Sequence, residues 1–228
     1  MDLLVAASSV HGISNSSGPG WIHVVDGKIA ASGHGEPPRE PDLQHDGILA
    51  PGLIDAQING AYGADFAAAD DADWARIVST LPETGVTAIV PTFITAPIEQ
   101  DVADLLAYAE RRASPIDGTR LLPCHVEGPF LAPTRRGAHR EDLLIDPTPE
   151  RVHALIDAGG DSLGYVTLAP EREGAIAAIK SFTAAGVRVA VGHSEASATT
   201  VNAAVEAGAT LVTHLFNAQP SIRSREPG

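Results

Sequence analysis

Residues 189–220, VAVGHSEASATTVNAAVEAGATLVTHLFNAQP, read as strand, helix, strand. Val189–Val191 and Thr210–Thr213 are short runs rich in β-branched residues, and each leads into a histidine, His193 and His214. Between them Ala196–Ala207 is rich in alanine, the best helix former, and Gly208 fits a helix C-cap. Two parallel strands joined by a crossover helix bring their C-terminal ends side by side. The spacing therefore predicts that His193 and His214 are neighbours in space, and two neutral imidazoles at adjacent strand ends are most of a metal site. A lone histidine at a strand end is more often structural; a pair on consecutive strands raises the odds of a metal role to about even.

The same punctuation recurs along the chain. ETGVTAIVPT (83–92), AAGVRVAVGH (184–193) and EAGATLVTHL (206–215) each combine a helix end, a glycine and a β-branched run. That is the signature of repeated αβ units. From residue 48 the chain offers strands near 48, 87, 120, 164, 188 and 210. Helices are expected at 70–81, 98–112, 149–158 (with Thr148 as N-cap), 172–185 and 196–207. The fold class is α/β, a (β/α)8 TIM-type barrel that is incomplete, with about six βα units where a closed barrel has eight in roughly 250 residues. Residues 1–47 differ. Trp21–Val25 and Lys28–Ala31 flank Asp26-Gly27, a strong type I′ hairpin signal, and suggest a small N-terminal β-sandwich portion. Two domains follow: 1–47, and 48–228 as the barrel. The Arg225-Glu226-Pro227-Gly228 end reads as mid-protein loop chemistry, so a longer parent chain is expected.

Composition bounds the partners. The 228 residues are 44% hydrophobic but only 4% aromatic, so Ala and Val fill much of the core. A formal charge of −14 disfavours nucleic acid and anionic membranes. One cysteine, Cys124, rules out an internal disulfide framework and suits a reducing, cytoplasmic setting. Neither a signal peptide nor an apolar run of about 18 residues is evident.

Chemistry-bearing residues gather at the expected strand ends. The strand at 120–126 runs into Glu127-Gly128-Pro129 of the HVEGPF stretch. Glu127, His193 and His214 together form the two-histidine, one-carboxylate set typical of catalytic zinc. A bound ion of that kind polarises a carbonyl and lowers the pKa of water. Gln57 and Asn59 are alternate residues of one strand end and face the same side. Amides ligate zinc poorly, so one metal is expected rather than two. Thr134–Arg140 is a basic loop in an acidic chain, either a solvated surface loop or a substrate contact in which His139 donates to a sugar hydroxyl or acyl oxygen. Asn217 and Ala218 follow His214 and can bind an oxyanion or phosphate, with Arg225, and less strongly Arg223, as a phosphate contact.

PGLIDAQINGAYGADF, HVEGPFLAPTRRGAH, VGHSEAS and THLFNAQPSIRSREPG, in this order, resemble the N-acetylglucosamine-6-phosphate deacetylase family of the amidohydrolase superfamily. The resemblance runs from about Gly47 to the end of the chain. It implies a (β/α)8 barrel with a small β domain built from both chain ends. It implies Glu127, His193 and His214 as ligands of one divalent ion, zinc foremost, with iron, cobalt or manganese possible. It implies His139, Asn217, Ala218 and Arg225 as substrate-binding positions in a homodimer, Arg225 reaching a neighbouring subunit's phosphate. The family block NAMP reads Asn217-Ala218-Gln219-Pro220 here. The family's catalytic aspartate lies on a later strand, beyond Gly228, so the resemblance implies no catalytic acid–base residue within this chain and little turnover by it alone. The alternatives are an amidohydrolase acting on cyclic amides, disfavoured because Lys28 and Lys180 are the only lysines, and an inactive fragment.

Overall fold

Asp26 and Gly27 both adopt left-handed backbone (φ 50° and 75°), as the two-residue hairpin turn requires. The computed structural model describes residues 1–12, 18–114, 116–225 and 227; Glu226 and Gly228, part of the terminal loop reading, lie outside them. Two compact units emerge, Met1–Leu53 and Ile54–Gly228. The first is a single four-stranded sheet in the order β3-β2-β1-β4, with β1 Asp2–Val10, β2 Gly20–Val25, β3 Lys28–His34 and β4 Leu43–Leu49. Strands β1, β2 and β3 pair antiparallel, whereas β4 pairs parallel with β1. Ile48 and Leu49, read from sequence as the start of the first barrel strand, lie in β4 opposite Ser9 and Val10. An apolar run leading to Pro51 fits either place, and only the pairing with β1 decides. In this unit the described residues form one sheet.

Strand β5 Leu53–Ile58, all but its first residue in the second unit, is followed by a two-stranded ribbon, β6 Gly60–Ala61 with β7 Ala64–Asp65. Then follow α1 Asp71–Thr80, β8 Val86–Ile94, α2 Ile98–Ala113, β9 Arg120–Leu121, β10 Cys124–Glu127, α3 Pro149–Gly159, β11 Leu163–Leu168, α4 Ala175–Ala184, β12 Arg188–Val191, α5 Ala198–Ala207 and β13 Leu211–Val212. The main sheet runs β13-β12-β11-β10-β8-β5, with β9 beside β8. The pairs β12/β13, β11/β12, β10/β11 and β8/β10 are all parallel. This curled sheet is the incomplete TIM-type barrel that the repeats predict.

Two departures have local causes. The strand expected at 120–126 is split into β9 and β10 around Leu122-Pro123, because proline has no N–H to offer a ladder. Helix α4 starts at Ala175, not Arg172, because Gly174 just before it is left-handed (φ 82°). Helix ends otherwise follow their capping residues. Asp70 accepts from the Asp73 amide at 2.9 Å, Ser197 accepts from the Thr200 amide at 3.3 Å, and Gly208 closes α5 with φ 117°. Thr148 holds the cap position of α3 without a side-chain cap bond. Ile77, Leu105, Leu155, Ile179 and Phe182 from the helices are fully buried with Ile89, Val126, Val166 and Val189 from the strands. Each such side chain contributes about 1.5–3 kcal/mol of hydrophobic stabilisation. No helix is long and apolar enough to cross a membrane among the described residues.

Candidate metal centre

Glu127 is the last residue of β10, buried, and faced by three imidazoles. His214 Nε2 lies 2.9 Å and His193 Nε2 3.2 Å from Glu127 Oε1, while His139 Nε2 lies 3.8 Å from Oε2. The rings of His139 and His193 meet edge-on at 4.7 Å, and those of His193 and His214 at 5.1 Å. The strand ends thus bring Glu127, His193 and His214 together as the sequence reading expects. His139 joins them from the 134–140 loop. Ligand atoms of Glu127, His139 and His193 all lie within 4.8 Å of one another, a spacing able to hold a metal ion. The donor set fits a divalent cation: a carboxylate that needs a counter-charge once buried, and imidazole nitrogens directed at it.

Glu127, His139 and His193 are each aimed by a partner. His193 Nδ1 donates to the Arg135 carbonyl (2.7 Å), so its Nε2 faces Glu127. Gln57 Nε2 donates to Glu127 Oε2 (3.0 Å), so this amide braces the ligand carboxylate. Asn59 Nδ2 donates to the Thr92 carbonyl (3.3 Å), a backbone-satisfying role. Thr95 Oγ1 donates to the Glu127 carbonyl (3.3 Å) and stands 2.8 Å from His139 Nδ1. On that heavy-atom pattern His139 Nδ1 carries the proton and its Nε2 presents a lone pair to the cavity. Thr95 was missed altogether. Its only signal was its place directly after β8, opposite Gly128, where a β-carbon would overlap Thr95 Oγ1.

The charges are mutually adjusted. Burial raises the Glu127 pKa, but the His193 hydrogen bond and the charges of His125, His139 and His193 outweigh it and bring the value down to about 2. Burial pushes His139 down to about 4, against the pull of Glu127. For His193 burial acts downward, yet the Glu127 hydrogen bond, the Arg135 carbonyl and the Glu127 charge raise it above the ordinary imidazole value.

A cavity of about 600 Å³ opens over these groups, lined by Gln57, Asn59, Glu127, His139, His193, His214, Asn217 and Ala218 among others. Eight of the ten site positions singled out from sequence therefore share one cavity. Arg225 does not line it and is exposed. Arg223 lines a separate depression with Arg135 and Ser197.

A parallel half-barrel with a carboxylate and histidines converging at its strand ends is of the amidohydrolase fold. The D-hydantoinase structure, 14% identical with a TM-score of 0.52, shares that fold. No protein-family model matches the chain. N-acetylglucosamine-6-phosphate deacetylase of Mus musculus is 39% identical over 186 residues, covering 79% of this chain and 45% of the relative. That of Bacillus subtilis is 33% identical over 217 residues, covering 92% and 54%. The N-acetyl-D-glucosamine-6-phosphate deacetylase of Mycobacterium smegmatis, solved in complex with N-acetyl-D-glucosamine-6-phosphate, superposes with a TM-score of 0.91 at 38% identity, covering all of this chain and 59% of that one. The chain is a homologue of the N-acetylglucosamine-6-phosphate deacetylases, and it spans about half the length of the curated relatives it matches.

Proposed function

We propose that the chain forms the metal-binding half of an enzyme that hydrolyses the acetamide of N-acetylglucosamine 6-phosphate to glucosamine 6-phosphate and acetate. The observation that carries this reading is the convergence of Glu127, His193 and His214 beside His139 in one cavity, on a chain homologous to deacetylases of that substrate. Glu127, His193 and His214 hold one divalent ion, zinc foremost. Such an ion supplies Lewis acidity to an amide carbonyl and to water. Gln57 keeps the Glu127 carboxylate turned to the cavity, and at the positions of Gln57 and Asn59 the amides favour a single ion.

The remaining groups hold substrate. His139, neutral near pH 7 through burial, accepts at Nε2 from a sugar hydroxyl. Asn217 and the left-handed backbone of Ala218 (φ 50°) face the cavity beside His214 and contact the sugar phosphate. Arg225 stands outside the cavity, which suits a contact with a second subunit's phosphate in a homodimer. Glu127 is the one carboxylate lining the cavity among the described residues, and it is committed to the ion. With no second carboxylate lining the cavity among the described residues, general acid–base help is expected to be weak in this chain; its loss costs about 10²–10⁴-fold.

The test is calorimetry with zinc chloride, then glucosamine 6-phosphate, alongside acetate release from N-acetylglucosamine 6-phosphate. Sugar-phosphate binding that requires zinc and disappears in Glu127→Gln supports the reading. Absence of both binding and acetate release overturns it.

A further inference from the structure

Beneath the cation-binding side chains lies a second polar layer that the proposed chemistry does not use. His125 precedes Glu127 by two residues on β10, so both side chains face the same side of the sheet. It is 0% exposed. Its Nδ1 stands 3.2 Å from Thr92 Oγ1 of β8, and its Nε2 stands 2.7 Å from Thr167 Oγ1 of β11. Thr167 Oγ1 in turn lies 2.7 Å from Thr213 Oγ1, directly after β13. Three hydrogen bonds thus tie the ends of β8, β10, β11 and β13 in one line. The His125 ring stacks on Tyr165 at 3.8 Å, and the Tyr165 hydroxyl donates to the Ala56 carbonyl of β5 at 2.9 Å. Barrel interiors are ordinarily filled by layers of Val, Ile and Leu, and buried polar groups persist there only when satisfied.

The line has a direction. Thr92 Oγ1 donates to the Val90 carbonyl (3.3 Å), so it accepts from His125 Nδ1–H. The neutral ring then offers a lone pair at Nε2, which accepts a hydrogen bond from the Thr167 hydroxyl. Thr167 accepts from Thr213. The end of the line is the residue before His214, whose own backbone is left-handed (φ 56°) although it is not glycine. Such a conformation persists only where the surroundings enforce it. Thr213 is held by its amide, which donates to the Val191 carbonyl (2.9 Å), and by this hydroxyl bond. Gly192 adds a steric lock, since a β-carbon there would press on Thr167 and Thr213.

We propose that the Thr213–Thr167–His125–Thr92 line is a positioning device that holds His214 Nε2 against Glu127 Oε1, with His125 as a positioning residue that touches neither ion nor substrate. This rests on the metal-centre reading above.

The experiment compares wild type, Thr213→Val, Thr167→Val and Thr213→Ser by three readouts: zinc affinity with zinc chloride, melting of the metal-free protein, and imidazole ¹⁵N shifts of His125 and His214. His125 is expected as the Nδ1–H tautomer in the wild type. Both valine variants are expected to lose about 10-fold or more in zinc affinity, as outer partners of metal ligands typically do, with metal-free melting within a few degrees. Thr213→Ser is expected to retain the affinity. Wild-type zinc affinity in both valine variants, an equal loss in Thr213→Ser, affinity losses that merely follow the melting temperature, or an Nε2–H tautomer of His125 would each overturn the proposal. If the wild type takes no zinc, the metal reading fails, and the His214 shifts decide this one separately: movement in Thr213→Val upholds the line, and unchanged signals sink it.

Discussion

Glu127 is buried among Gln57, His139, His193 and His214, and its hydrogen bond with His193 does most to lower its pKa against the effect of burial. The consequences for pH follow from the shifts. A carboxylate lowered to about 2 contributes stability above its ordinary 4.5 and loses it as pH falls through 2. An imidazole raised above 6.5 contributes stability below that value and loses it as pH rises through the raised one. The metal-free protein is therefore expected to melt at falling temperature as pH climbs above 6.5. The gain on adding zinc should grow over the same range, because the ion competes with protons for His193. Melting curves with and without zinc check both trends, and Glu127→Gln is expected to remove the zinc-dependent gain. Glu127, His193 and His214 were legible as a set because each ends an apolar strand. Gln57 was not legible as a brace for Glu127, since its partner is 70 residues away along the chain.

Helix α2 carries a feature that its amphipathic pattern hides. Asp101 is 1% exposed, and neither carboxylate oxygen has a hydrogen-bond partner among the described residues. Burial, assisted by the charge of Asp104, pushes its pKa up to about 8. The folded protein thus keeps a proton that the unfolded chain releases near 3.8, so stability falls as pH rises from about 4 to 8. Asp101→Asn is expected to flatten that slope, with denaturant midpoints near pH 8 above wild type by about 1–3 kcal/mol in free energy. The turn after β10 is equally specific. Gly128 has φ 96° and no room for a β-carbon beside Thr95. Gly128→Ala is expected to cost at least 1 kcal/mol and to weaken zinc binding, as calorimetry can show. Strands and helices of the second unit were readable from their alternation. The assignment of Ile48 and Leu49 was not, because an apolar run carries no mark of which sheet it joins.

The main sheet ends, among the described residues, on β13, a two-residue strand with exposed apolar neighbours. Phe216 is 79%, Ile222 70% and Leu215 61% exposed. An unpaired parallel edge beside such a patch favours association with other chains. Light scattering is expected to show concentration-dependent growth in mass, reduced in the double variant Leu215→Lys/Phe216→Asp; a monodisperse wild type at high concentration would contradict this.

The sequence by itself determined the alternation of strand and helix, the hairpin at Asp26-Gly27 and the residues that end each strand, because these depend on local periodicity and turn chemistry. Tertiary structure alone decided which strand Ile48 joins, that Gln57 braces Glu127, that Thr95 sets the polarity of His139, and that His125 and three threonines form one line under the site. Those are hydrogen bonds between residues far apart in the chain, and a threonine in a strand reads as β propensity until its partner is in place.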